Sequence, residues 1–275
     1  MGLFKKENCC LCDGKTGLLD KKCKDGKICK NCVSRLSVWF DDYKESTKHD
    51  LILQQAQKAL DETKAPTLDF NRVYGEFGVI LIDEKDRLFT AFPNTSKGLF
   101  GNNRNVTSFR DVYDLHPDLV EFDMVEDIEI DIKQMTKEMK RTVDGQQVSY
   151  DPPHYEYSYV FTLHLKINHK YIKSMYITLN SEAVHIKNIG QRAWTDPGKK
   201  LAAHLLGLPN LIVEDRAAVY SNESLLATLF RSQYEMPAMS YGFKCTVDNW
   251  KDIQKYQYYL QMAREIRDVI MGSKI

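Results

Sequence analysis

The spacing of apolar residues changes twice along the chain. From Ser34 to Lys64, Ile52, Ala56, Ala59 and Leu60 recur at helical spacing, with Asp50, Gln54, Lys58 and Asp61 elsewhere, which predicts one helix. Ala65-Pro66 ends it, because the residue before a proline is pushed out of the helical region. From Leu68 the period is two. Val79-Ile80-Leu81-Ile82, the charged turn Asp83–Arg87 and Leu88-Phe89-Thr90-Ala91-Phe92 predict a hairpin. Within Glu121–Lys133, Ile128, Ile130 and Ile132 take one face of a half-buried strand, and Asp127, Glu129 and Asp131 take the other. Pro93 to Asn105 and the polar stretch Val143–Pro153 read as loops.

The strongest hairpin follows. Tyr157, Tyr159, Phe161, Leu163, Leu165 and Ile167 alternate with Ser158, Thr162, His164 and Lys166. Asn168-His169 turns the chain, and Tyr171–Leu179 returns with Met175, Ile177 and Leu179 on one side. After Gly190 the character is helical, with short candidates at Pro197–Leu206 and Ser224–Gln233. A long final helix starts at Asp248, its stripe being Trp250, Ile253, Tyr256, Leu260, Ala263, Ile266 and Ile270. The predicted class is α+β in four parts: a small module at 1–35, a linker helix at 36–66, an antiparallel β domain at 67–190 and a helical C-terminal region at 191–275.

Composition narrows the function classes. The 275 residues suit one to three domains, and 43% apolar with 28% charged residues is ordinary for a soluble globular chain. The 38 basic and 38 acidic residues cancel, so a general attraction to nucleic acid or anionic membrane is absent. No stretch approaches the ~18 consecutive apolar residues of a transmembrane helix. Met1–Lys6 turns polar at once and is not read as a signal peptide, and Lys6 argues against myristoylation at Gly2. The expectation is a cytoplasmic protein with no membrane partner, in which cysteines stay reduced.

Seven cysteines give that expectation chemical content, because six of them fall within the first 32 residues and Cys245 stands alone. Clustering in a reducing compartment points to metal rather than disulfides. Cys9-x-x-Cys12 and Cys29-x-x-Cys32, sixteen residues apart, have zinc-ribbon spacing. Two residues between cysteines let a tight turn aim both sulfurs at one point, and two such turns make a tetrahedron of four thiolates. Gly14, Gly17 and Gly26 supply tight turns, with Asp25-Gly26 just before the second pair. Four cysteines would complete the coordination of one structural Zn²⁺ and leave no open position for catalysis. Only Cys9, not Cys10, gives the two-residue spacer, and Cys23 reads as a bystander thiol. Residues 1–35 hold nine Lys/Arg against four Asp/Glu, +5; four thiolates and zinc contribute −2, leaving about +3. With Phe4 as the only aromatic, that face is poor in stacking groups for nucleic acid.

Catalytic motifs are missing from the sequence. It has no phosphate-binding Gly-x-x-x-x-Gly-Lys-Ser/Thr loop, no dinucleotide glycine fingerprint, no nucleophile elbow and no His-Glu-x-x-His. His154, His164 and His169 read as loop or surface residues, the Asp127/Glu129/Asp131 stripe as a solvated face, and Cys245 as a buried thiol. Tyr155, Tyr157 and Tyr159 could make a binding surface, but Tyr157 and Tyr159 share a face with Phe161 and read as core.

The run Cys9 through Gly14, with Gly17-Leu18-Leu19, Asp25-Gly26 and Cys29–Cys32, resembles a bacterial zinc-ribbon domain of unknown function common in Firmicutes. The likeness extends to a β-rich second module through Val148–Tyr159 and the hairpin Val79–Phe92, covering roughly residues 1–190. It implies a cytoplasmic zinc protein without assigned activity and lends no catalytic residues. The second module's strand order is compatible with a small barrel of the pleckstrin-homology type. The expected function is a non-enzymatic zinc-binding adaptor with a protein partner. The alternative is a nucleic-acid-associated protein using the basic ribbon.

Overall fold

A computed structural model describes residues 7–93, 106–188 and 250–272. Two compact units divide the chain. One comprises Met1–Glu129, Leu163–Thr178 and Ile266–Ile275; the other comprises Ile130–Thr162 and Leu179–Glu265.

The first unit begins with a small antiparallel hairpin, β1 (Lys21–Cys23) and β2 (Gly26–Ile28), in which Cys23 faces Gly26. A single helical turn, α1 (Lys30–Val33), follows. The helix expected from Ser34 starts only at Lys48, as α2 (Lys48–Lys64). Its start is set by a capping box: the Thr47 hydroxyl accepts the Asp50 N–H at 3.2 Å, and the Asp50 carboxylate accepts the Thr47 N–H at 2.9 Å. Ahead of that cap, residues 34–47 form turns that bury Leu36, Phe40 and Tyr43.

The orientation of α2 is also corrected. Leu51, Gln54, Lys58 and Asp61 are buried, while Ile52, Leu53 and Leu60 are exposed. Polar side chains occupy the inner face because Asp118 and the Leu119 N–H pair there with Lys58 and Asp61.

Beyond α2, β3 (Arg72–Tyr74), β4 (Val79–Asp83), β5 (Leu88–Phe92) and β6 (Val120–Glu121) form an antiparallel sheet in the order β3-β4-β5-β6. The expected hairpin is present, with Val79 opposite Phe92 and Asp83 opposite Leu88. All five residues of both strands are buried, which explains their continuous apolar runs.

A second sheet holds β7 (Val125–Val143), β8 (Gln146–Ile167), β9 (Ser174–Thr178) and β10 (Val184–Asn188), in the order β10-β8-β7 with β9 also paired to β8. Both sheets are open and antiparallel, and no closed barrel forms among the described residues, so the barrel expectation is corrected. The loop expected at Val143–Pro153 is strand apart from Asp144-Gly145. These two residues have φ of +50° and +76°, the left-handed pair that a two-residue hairpin turn requires. Residues 133–149 are exposed almost throughout, so their polarity reflects two solvated faces rather than a lack of strand.

In β7, Ile128 is buried while Ile130 and Ile132 are only half-buried, and Asp127, Glu129 and Asp131 are exposed as expected. β8 buries Tyr159, Phe161, Leu163, Leu165 and Ile167, as its alternation predicts, while Tyr157, expected in the core with them, is only half-buried. The return strand begins later than Tyr171, because His169 Nδ1 accepts the N–H groups of Tyr171 and Ile172 at 3.2 Å each and widens the turn.

In the second unit, β10 pairs with β8, Val184 lying opposite Tyr159. Asn180 clamps this edge: its Oδ1 accepts the Phe161 N–H at 2.8 Å and its Nδ2 donates to Tyr159 O at 3.1 Å. The final helix, α3 (Trp250–Gly272), sets the Tyr256 ring edge-on to Tyr159 at 4.8 Å and to Phe161 at 5.0 Å. Leu260, Ala263, Ile266 and Ile270 of the expected stripe are buried, and Gln257, Tyr259 and Met262 widen it. The loop at Asn94–Asn105, the helices expected at Pro197–Leu206 and Ser224–Gln233, and Cys245 lie outside the described residues. No helix among the described residues is long and apolar enough to cross a membrane.

Candidate metal centre

The first knuckle is a turn closed by its own backbone. Cys9 N–H donates to Gly14 O at 2.7 Å, and Asp13 N–H donates back to Cys9 O at 2.9 Å. Asp13 takes the left-handed conformation, φ +57°, to complete it. Gly14 leaves room for the ligand: a Cβ there would lie 3.2 Å from Cys12 Sγ, so that sulfur would have to give by a few tenths of an ångström. The second knuckle starts α1, where the N–H groups of Cys32 and Val33 both reach Cys29 O at 3.0 Å. Cys29 N–H also donates to Cys9 Sγ at 3.3 Å, tying the two knuckles together.

This places Cys9, Cys12, Cys29 and Cys32 with all four sulfurs within 4.8 Å of one another. Cys12 and Cys29 sulfurs are 3.6 Å apart. A tetrahedron with metal–sulfur bonds of ~2.3 Å has edges of about 3.8 Å, so the arrangement fits an ion at its centre. Cys9, Cys29 and Cys32 are buried and Cys12 is exposed, and all six cysteines of the module are free thiols.

The electrostatics show what the ion would resolve. Burial raises the Cys9 thiol, but backbone N–H donors from Cys29, Leu11 and Cys12 outweigh it and hold the group at about 6. Burial and the neighbouring thiols of Cys12, Cys29 and Cys9 push Cys32 far up. Cys29 is also raised: a backbone hydrogen bond at Cys32 lowers it, and burial with the thiols of Cys12 and Cys9 outweighs that. Four thiolates cannot crowd together unaided; a divalent cation makes all four favourable at once.

Cys10 and Cys23 stay outside the cluster. Their sulfurs touch each other at 3.4 Å, and burial together with the Cys23 thiol pushes Cys10 up to about 12.

The module is packed on the first unit rather than hung from it. Cys9, Cys23, Ile28, Cys29, Cys32, Leu36, Phe40, Tyr43 and Leu51 make one apolar cluster, against which Cys10 and Tyr171 pack. Asp25 accepts the Lys48 N–H at the start of α2, where a carboxylate also suits the helix dipole.

Sequence reasoning missed a buried polar network beside it. Lys58 Nζ donates to Asp118 Oδ1 at 3.1 Å and to His116 O at 2.9 Å, and Ser37 Oγ donates to Asp118 Oδ2 at 2.9 Å. Asp61 accepts from Leu119 N–H at 3.1 Å and Gln57 Nε2 at 2.9 Å. Burial raises the carboxyls of both Asp118 and Asp61 against these donors. A groove of about 560 Å³ runs alongside, lined by Asp61, Lys64, Glu121, Met124 and His169. No sequence signal marked this network, since helix positions 54, 58 and 61 carry the residue types of a solvated face.

The other candidates are dispersed. His164 stacks on Tyr176 at 4.2 Å with Glu129 3.7 Å away, and Asp127 pairs with Lys166 at 3.7 Å. His154 stacks on Tyr150 at 4.2 Å. Among the described residues the four cysteines are the group of metal-ligating side chains that converges.

Fold and site together define a compact four-cysteine module able to hold one metal ion. A family model described as Domain of unknown function (DUF4428) matches residues 7–55, taking in both knuckles, the β1–β2 hairpin and the first turns of α2. No curated protein and no solved structure matches the chain.

Proposed function

We propose that the protein is a zinc-stabilised, non-enzymatic adaptor. The observation that carries this reading is the convergence of the Cys9, Cys12, Cys29 and Cys32 sulfurs within 4.8 Å. Four thiolates suit Zn²⁺ and occupy its whole coordination sphere, so the ion holds the module together and offers no site to a substrate. Such a centre belongs in a reducing compartment, the cytoplasm, and the likeness to bacterial zinc-ribbon proteins points the same way.

A protein partner is the natural role for the surface so held. Leu18 and Leu19 sit at the edge of the ribbon, 74% and 91% exposed, in a turn fixed by Asp20 accepting the Gly17 N–H at 2.7 Å. Two leucines on a rigid turn form a contact point for an apolar partner groove. The second reading, nucleic-acid association, draws on Lys15, Lys21, Lys22, Lys24 and Lys30, all exposed on the same module.

The test compares wild type with a Leu18→Glu/Leu19→Glu variant, both shown to carry metal, in quantitative capture from the host and in titration with mixed-sequence DNA and RNA. The adaptor reading expects a captured protein that the variant loses, and no binding that weakens linearly with log salt. Salt-dependent nucleic-acid binding that survives in the variant would replace it with the second reading.

A further inference from the structure

Two thiols of the metal module remain outside the four-sulfur cluster, and their contact is built by the backbone. Cys10 comes from the first knuckle and Cys23 from β1, and their sulfurs are 3.4 Å apart. Cys10 N–H donates to Lys27 O at 2.8 Å, which fixes this residue over the hairpin. Cys23 faces Gly26 across the hairpin, and Gly26, φ +136°, presents no side chain; a Cβ there would stand 3.7 Å from that of Cys10. Cys10 therefore leans on the bare end of the hairpin, beside the buried Cys23.

We propose that Cys10 and Cys23 form a reversible disulfide that straps the first knuckle to β1 while the other four cysteines hold the metal. The proposal rests on the reading of Cys9, Cys12, Cys29 and Cys32 as ligands. Closing the bond to ~2.05 Å asks the sulfurs to approach by little more than about 1 Å. The chemistry is thiol–disulfide exchange with a small disulfide of the glutathione class as oxidant. One cysteine sulfur attacks a sulfur of the small disulfide, whose S–S bond breaks and releases one small thiol. The second cysteine sulfur then attacks the protein-side sulfur of the mixed disulfide and releases the other. Two electrons and the two cysteine protons pass to the small thiols, so two protein thiols and one small disulfide become one protein disulfide and two small thiols. Excess small thiol reverses it. The loop so closed runs from residue 10 to 23 and contains Cys12, so the strap constrains one ligand and slows departure of the metal.

The test uses the full-length, zinc-loaded protein incubated with oxidised glutathione, then alkylated without reduction. Mass spectrometry should show the loss of two hydrogens and a cross-linked peptide joining Cys10 to Cys23. Elemental analysis should show the zinc retained, and zinc transfer to a chelator should slow several-fold. Cys10→Ser and Cys23→Ser should each abolish the internal cross-link, and reduced glutathione should restore the thiols. Both cysteines still alkylated under saturating oxidant, cross-links through the four ligands with loss of zinc, or an unchanged transfer rate would overturn the strap. A starting protein without zinc would strike the ligand reading instead, and the Cys10–Cys23 cross-link would still decide the strap.

Discussion

Cys9 and Cys10 are neighbours in the chain, yet only one of them points into the four-sulfur cluster. The two-residue spacer made that distinction legible, because a knuckle turn aims the first and fourth residues together. On this account Cys29→Ser releases the metal and unfolds the module, whereas Cys10→Ser keeps both; circular dichroism with elemental analysis reads the pair. Equal metal loss from the two variants would contradict the ligand assignment. The raised Cys32 and Cys29 thiols add a pH dependence. Their protons must leave for the ion to bind, so affinity falls as pH falls and binding releases protons. Calorimetry in buffers of different ionisation enthalpy should register that release at neutral pH. The contact between Cys10 and Cys23 was not legible, because it depends on how the knuckle folds back over the hairpin.

Helix α2 shows how an element can be recognised and still be read inside out. Ala56 and Ala59 keep helical spacing, but Lys58 and Asp61 face inward because Asp118 and the Leu119 N–H wait for them from a segment about 60 residues away. Residue types alone carry no record of such partners. The Lys58 and Asp118 side chains are each 4% exposed, so removing one leaves an unpaired buried charge. Lys58→Ala should cost about 3–5 kcal/mol in denaturant unfolding, while replacing both partners by apolar residues should cost much less. Parallel losses in the single and double variants would show that the pair matters only for packing.

The turn at His169 makes a second prediction at this scale. Burial holds its imidazole below the ordinary value of 6.5, with Asp118 opposing and Lys173 assisting. The folded chain then binds this proton less readily than the unfolded one, so stability falls as pH drops below about 6.5. His169→Asn, which keeps an acceptor for Tyr171 and Ile172, should flatten the acid side of a melting-temperature profile. Profiles that stay parallel would rule the histidine out. Strand β8 was legible from its alternation, whereas the β7–β8 ribbon around Asp144-Gly145 was not, since two solvated faces leave no hydrophobic period.

The described residues are α+β, as the changing period predicted, and the terminal helix belongs to the chain's own core. Tyr256 stands against Tyr159 and Phe161 with no exposed surface. Burying aromatic rings of this size is worth on the order of several kcal/mol. Deleting residues 248–275 should lower the melting temperature sharply or cause aggregation, as followed by calorimetry and light scattering. A truncated chain that stays folded and changes only its oligomeric mass would make the stripe an interface. The division of the strands between two sheets escaped the sequence reading because strand pairing, unlike strand existence, has no local signature.

The central claim is that Cys9, Cys12, Cys29 and Cys32 hold one structural zinc. Native mass spectrometry of the purified chain, paired with elemental analysis, tests it most directly. The account predicts one zinc per wild-type chain, kept in Cys10→Ser and absent in Cys29→Ser. A chain that carries no zinc, or iron in its place, or zinc that survives the Cys29 substitution, would contradict it.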